Sequence, residues 1–199
     1  MLLVDRSGSM IQAMGTGTRW DVLSASIGAL LQTSSGFWIG LEYFPHGAAA
    51  TWCSASVYDS YIDLAMLPGS VSSNITAWMS GVTPNGGSPS PAALEGTIGY
   101  LRSAPGPSAN ARRAVLLTLD GEPNVCAPDD TITALAQAAA KGMNGSPPVL
   151  TYTIAVGETV PGIDQVAAAG GTGQSYTALT AADLDAALLD VRTKLLACP

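Results

Sequence analysis

The residues with chemistry to offer stand where apolar runs end. Asp5, Ser7 and Ser9 follow Met1-Leu2-Leu3-Val4 in the segment Asp5-Arg6-Ser7-Gly8-Ser9-Met10. A carboxylate and two hydroxyls at alternate positions are hard oxygen donors, and Gly8 permits the tight turn that lets them converge. A hard cation such as Mg2+ takes six oxygens at about 2.0–2.1 Å and keeps several waters. One loop therefore supplies only part of a shell, and other loops must supply the rest. The candidates are Ser88, in Thr83-Pro84-Asn85-Gly86-Gly87-Ser88-Pro89-Ser90, and Asp120, which ends the apolar run Ala114 to Leu119.

These residues must be positioned by the elements between them. Trp20, Leu23, Ile27, Leu30 and Leu31 recur with a helical period, which predicts a helix over Trp20 to Leu31. Phe37 to Phe44 is rich in aromatic and branched residues and closes at Pro45, the pattern of a strand. Trp52 to Leu64, with Val57, Tyr61 and Ile62, reads as a weaker strand paired with it as a hairpin. Helices are expected over Ser70 to Met79, Pro91 to Leu101, Thr131 to Lys141, Ile163 to Ala169 and Ala182 to Leu196, the last capped by Thr180. Strands are expected over Leu2 to Val4, Ala114 to Leu119, Val149 to Val156 and Tyr176 to Leu179. Helices alternating with continuously apolar strands imply a mostly parallel sheet covered on both faces, a three-layer α/β/α fold. In such sheets ligands bind beyond the carboxyl ends of the strands. That is where Asp5 and Asp120 fall.

Composition narrows the function. The chain has 199 residues, 47% of them hydrophobic and 12% charged, which excludes a disordered solvating chain. Residues 1–199 read as one domain, with no linker and no 20–50-residue repeat. The formal net charge of -7, with eight scattered basic residues, argues against nucleic acid or an anionic membrane as partner. No apolar run approaches the ~20 residues of a membrane-spanning helix. The chain opens inside a strand, so part of that strand, and an export signal before it, are expected to be missing. Three cysteines, none in a Cys-x-x-Cys pair, and a single His46 leave no Cys/His zinc site. His46 reads as a surface-loop residue, and no Gly-x-Ser-x-Gly elbow exists to present a nucleophile. Glu122, Asp129 and Asp130 read as solvated charges or helix caps. Trp20, Trp38, Trp52 and Trp78 read as packing residues.

The set Asp5-x-Ser7-x-Ser9, Gly86-Gly87-Ser88-Pro89 with Ala92-Ala93-Leu94, and Leu116-Leu117-Thr118-Leu119-Asp120-Gly121-Glu122-Pro123 resembles the von Willebrand factor type A domain and its metal-ion-dependent adhesion site. Arg19-Trp20-Asp21, Tyr152 to Gly157 and Ala169 to Gly173 extend the resemblance along the chain, toward bacterial secreted or lipoprotein members with a Cys where Cys126 stands. The resemblance implies a Rossmann-like α/β/α fold with a mostly parallel sheet and one antiparallel edge strand. It implies direct metal ligation by Ser7 and Ser9, ligation by Asp5 directly or through water, and ligation by Asp120 mostly through water. Ser88 stands where the family usually has Thr, and Leu119 where Thr is common. Cys53 and Cys126 both follow elements expected to end near the metal edge, so a disulfide between them is expected, with Cys198 unpaired. An odd count also allows no disulfide at all.

The functional expectation is a non-enzymatic, divalent-cation-dependent adhesion domain, binding Mg2+, Ca2+ or Mn2+ and a partner protein that presents Asp or Glu. Its expected place is extracellular, at the cell surface or in the periplasm. An intracellular adaptor of the same fold, working with an AAA-type ATPase or chelatase, is the alternative. A Mg-dependent phosphoryl hydrolase is the rival from another class. It fits less well, because a nucleophilic-Asp enzyme wants a carboxylate where Ser7 stands and no phosphate loop is present.

Overall fold

The structure, a computed structural model, describes residues 1–104 and 111–197; Cys198, expected to be unpaired, lies outside them. Among these described residues eight strands and six α-helices follow in order. β1 is Leu2–Asp5, β2 Ala13–Met14, β3 Gly17–Thr18, β4 Trp38–Phe44, β5 Ile62–Met66, β6 Arg113–Leu119, β7 Val149–Val156 and β8 Tyr176–Ala178. α1 is Arg19–Gln32, α2 Ser70–Gly81, α3 Ser90–Ser103, α4 Ile132–Met143, α5 Ile163–Ala169 and α6 Ala181–Leu196.

Six strands form one sheet in the order β5-β4-β1-β6-β7-β8, while β2 and β3 pair as a separate small hairpin. β4, β1, β6, β7 and β8 are parallel, and only the edge strand β5 runs antiparallel, against β4. The alternation of side chains along each strand divides the core in two. Leu2, Val4, Leu41, Leu116 and Ile154 pack with residues of α1, α2 and α6 on one face. Leu3, Phe44, Val115, Leu117 and Leu119 pack with α3, α4 and α5 on the other. Strands buried on both faces have no polar side to show, which is why β1 and β6 read as unbroken apolar runs. Thr18 with Asp21, and Thr180 with Asp183, form capping boxes that start α1 and α6.

The expected strand over Trp52 to Leu64 is a correction. A short 3-10 turn, Ala55–Val57, and irregular turns on either side of it occupy the span up to residue 61, and the strand begins only at Ile62. Tyr58 is fully buried from a turn, and its hydroxyl donates to the Trp52 carbonyl at 2.7 Å. Its apolar weight comes from reaching into the core, not from β pairing. The expectation for His46 is corrected as well. It is half-buried, with Nδ1 3.0 Å from Oε1 of the fully buried Glu42 and its ring 4.6 Å from that of Tyr43.

β1 lies between β4 and β6, and the chain passes from β1 to β4 on one side before returning to β6 on the other. Their carboxyl ends flank the crevice of a topological switch point, the place where open α/β sheets bind ligands.

Candidate metal centre

Three loops meet at this crevice. β1 delivers Asp5, β6 delivers Asp120, and the segment before α3 delivers Ser88. Two backbone bonds hold the first and third loops together: Asn85 N donates to Arg6 O at 2.8 Å and Gly8 N to Gly86 O at 2.9 Å. Gly86, at φ +85°, is needed for a second reason. A Cβ there would lie 2.8 Å from Pro45 and 2.9 Å from Trp52.

The structure brings all five sequence-chosen residues together. Ser7 Oγ lies 3.0 Å from Ser9 Oγ, and Ser9 Oγ donates to Asp120 Oδ1 at 2.7 Å. With its single proton so used, Ser9 accepts from Ser7. On the other side Ser7 N donates to Asp5 Oδ1 at 2.7 Å, and Ser88 Oγ donates to Asp5 Oδ2 at 3.3 Å. Asp5, Ser7, Ser88 and Asp120 are buried, and Ser9 is the member half open to solvent.

The electrostatics of the two carboxylates differ. Asp120 is paired with Arg19, whose Nη1 lies 2.9 Å from Oδ2 and also donates to the Asp120 carbonyl at 3.2 Å. Asp5 is fully buried, and among the described residues no ion pair involves it. Burial, and after it the charge of Asp120, push the Asp5 carboxyl up to about 7, against the pull of its hydrogen bonds from Ser7 and Ser88. A buried charge without a counter-charge is costly.

This donor set suits a hard cation. Two carboxylates and three hydroxyls converge, all are oxygens, and the charge of Asp5 has no internal answer. Among the described residues no cluster of three or more His, Cys, Asp or Glu exists, so a soft-metal or all-carboxylate cage is not on offer. Ser7, Ser9, Ser88, Asp5 and Asp120 are the residues that could hold such a cation.

Three residues that sequence reasoning passed over shape the site. Arg19 binds Asp120 and, through Nη2, Glu158 Oε2 at 2.9 Å. Asn124 clamps Ser88 from both sides: its Oδ1 accepts from Ser88 N and its N donates to Ser88 O, each at 2.9 Å. Val125, the one non-glycine with positive φ (72°) among the described residues, packs where a Cβ on Gly87 would fall. The adjacent Cys126 is bonded to Cys53, with Cα atoms 5.5 Å apart. The loop carrying Ser88 is thus held between two segments that the disulfide joins. Arg19-Trp20-Asp21 was visible as a helix start, but nothing local in the sequence marks Arg19 as a partner of Asp120. Glu122 and Asp129 are exposed, as solvated charges would be.

No family model and no curated protein matches the chain. Solved structures do. The pilus adhesin SpaC from Lactobacillus rhamnosus GG is similar at a TM-score of 0.68 and 14% identity, over 98% of this chain and 30% of the adhesin. The SpRpn10 VWA domain is similar at 0.63 and 14% identity, over 92% of this chain and 91% of that one. Proximal thread matrix protein 1 from the mussel byssus, with a zinc-occupied MIDAS motif, is similar at 0.59 and 17% identity. That match covers 96% of this chain and 46% of the mussel protein, so the chain spans less than half of both it and the adhesin.

Proposed function

The chain has the von Willebrand factor type A fold, and from that premise we propose that it is a single domain that binds a partner protein through a divalent cation. The observation that carries this reading is the buried Asp5 carboxylate, bonded by Ser7 N and Ser88 Oγ, with serine hydroxyls from two loops and the Asp120 carboxylate from a third gathered beside it and, among the described residues, no ion-pair partner. When bound, Mg2+, Ca2+ or Mn2+ supplies Lewis acidity and an exchangeable coordination position for a carboxylate from the partner. Ser7, Ser9 and Ser88 donate neutral oxygens, so they orient the ion without cancelling its charge. Asp5 and Asp120 bring the negative charge that attracts it. Ser9 donates to an Asp120 that Arg19 already holds, and the ion pair with Arg19 weakens that carboxylate as a base for the serine. A non-enzymatic role fits this arrangement.

The Cys53–Cys126 bond supports a place outside the cytoplasm, at the cell surface or in the periplasm, because such bonds persist in oxidising compartments. SpaC is a pilus adhesin and the mussel protein a thread matrix protein, and both agree with an adhesive role. Among the described residues no helix is long and apolar enough to cross a membrane. Calorimetric titration with Mg2+ and Mn2+ tests the reading. Uptake of one ion per chain, weakened at least about a hundredfold by Asp5→Asn, is expected, since loss of a charged ligand costs several kcal/mol. Equal uptake by the variant overturns the assignment.

A further inference from the structure

We propose that Arg19 is a built-in counter-charge of the cation site, which weakens the hold on the ion and leaves it more electropositive toward an acidic side chain of the partner. The inference rests on the metal-site reading and assigns a role to a residue outside the donor set.

Arg19 stands in the wrong place for a helix. As the first residue of α1 it sets a positive charge at the positive end of the helix macrodipole, where acidic residues are favoured. It is nevertheless 5% exposed, and the surrounding chain is shaped to receive it. Asp120 Oδ2 and Glu158 Oε2 each lie 2.9 Å from one guanidinium nitrogen. Gly157, at φ +80°, leaves room that a Cβ would take: it would lie 2.8 Å from Arg19 Cγ and Cδ. A local rule broken at a cost, with the neighbourhood built around it, points to function.

The charge count gives that function its sign. Asp5 and Asp120 together carry two negative charges, enough to neutralise a divalent ion. Arg19 cancels one of them from inside the fold. Glu158 answers Arg19 in turn, but its side chain is 45% exposed and solvent screens it. About one positive charge then remains at the occupied site, and an anionic ligand from outside is the group that can meet it. Arg19 acts through Asp120 and is a positioning and charge-setting residue.

Titration of Mn2+ into the wild type, Arg19→Met and Arg19→Lys tests this, followed by titration of acetate into each Mn2+-loaded protein, read by water-proton relaxation. Removing the charge is expected to tighten Mn2+ binding about tenfold and weaken acetate binding about fivefold, the scale of a unit charge at partly screened distance. Arg19→Lys, which keeps the charge, is expected to stay within about threefold of wild type in both. Damage to packing alone would weaken both ligands, so tighter metal binding with weaker acetate binding marks the charge. Mn2+ binding by Arg19→Met no tighter than wild type, or unchanged acetate binding, overturns the proposal. Should Arg19→Met fail to fold, Glu158→Gln at the half-exposed partner is expected to weaken Mn2+ about threefold, and an unchanged or tighter constant overturns the proposal equally. Absence of Mn2+ uptake by the wild type is a separate result: it removes the metal-site reading, and this proposal falls with it.

Discussion

Two buried acids on neighbouring strands resolve the same problem differently. Glu42 on β4 lies beside Leu3 of β1 in register, and Asp5 stands two residues further along β1. Both are fully buried, and burial raises the pKa of both. Glu42 has nitrogen partners: Tyr43 N at 2.7 Å and His46 Nδ1 at 3.0 Å on the same oxygen. The hydrogen bond from His46 pulls its carboxyl back down in part. Among the described residues Asp5 has the Ser7 amide and the Ser88 hydroxyl as donors, with the charge of a second carboxylate, Asp120, pushing its pKa up further. An acid with an internal base belongs to the architecture. One whose neighbours are oxygens and another acid is what the proposed cation site calls for.

The Cys53–Cys126 bond connects these two regions. It joins the segment after His46, which carries Tyr58, to the segment that clamps Ser88 through Asn124. Closing a sequence separation of 73 residues, it contributes about 4 kcal/mol on a chain-entropy estimate. The Cys53→Ser, Cys126→Ser protein is expected to lose stability on that scale in denaturant unfolding. Its Mn2+ constant is expected to weaken by only a few fold, because the serine ligands remain and only their support loosens. A site that binds as tightly after the change would mean the clamp does not reach Ser88.

The next effect separates the two acids by pH. Metal binding requires Asp5 deprotonated, so affinity should fall by about twentyfold from about pH 7.5 to about pH 5.5, given a carboxyl raised to about 7. The sign for the metal-free fold is opposite. A raised carboxyl favours the folded state most at low pH, and that support is lost as pH climbs from about 4 through about 7. Calorimetry across this range checks the first, and thermal melts without metal check the second. Glu42→Gln is expected to leave the metal profile unchanged; a shifted profile would dissolve the distinction between the acids.

The smallest effect is at Asn124. Asn124→Ala removes the side-chain acceptor of the Ser88 amide and should cost about 1 kcal/mol of stability. A drop of about threefold to fivefold in Mn2+ affinity should accompany it if Ser88 is a ligand, and none if it is not.

The strand-and-helix alternation was legible because both-sided burial writes itself as unbroken apolar runs and because α1, α4 and α6 start at threonine caps. The segment after Pro45 was not, because Tyr58 and Trp52 contribute aromatic weight from turns rather than strands. The oxygen donors were legible because Asp5 and Asp120 are polar residues at the ends of apolar strands, and such ends meet at one edge. Arg19, Asn124 and Glu158 were not: Arg19 meets Asp120 across 101 positions and Glu158 across 139, and no local pattern encodes those meetings. His46 escaped for a similar reason, since its partner Glu42 lies four positions back across a strand end rather than on a helix face.

The most direct test is diffraction from crystals grown with Mn2+, read by anomalous scattering. A single peak among Ser7, Ser9, Ser88, Asp5 and Asp120, with Asp5 facing it, is the expected result. Ordered crystals with these five residues as they stand in the metal-free fold, and no peak between them at saturating Mn2+, would contradict the account.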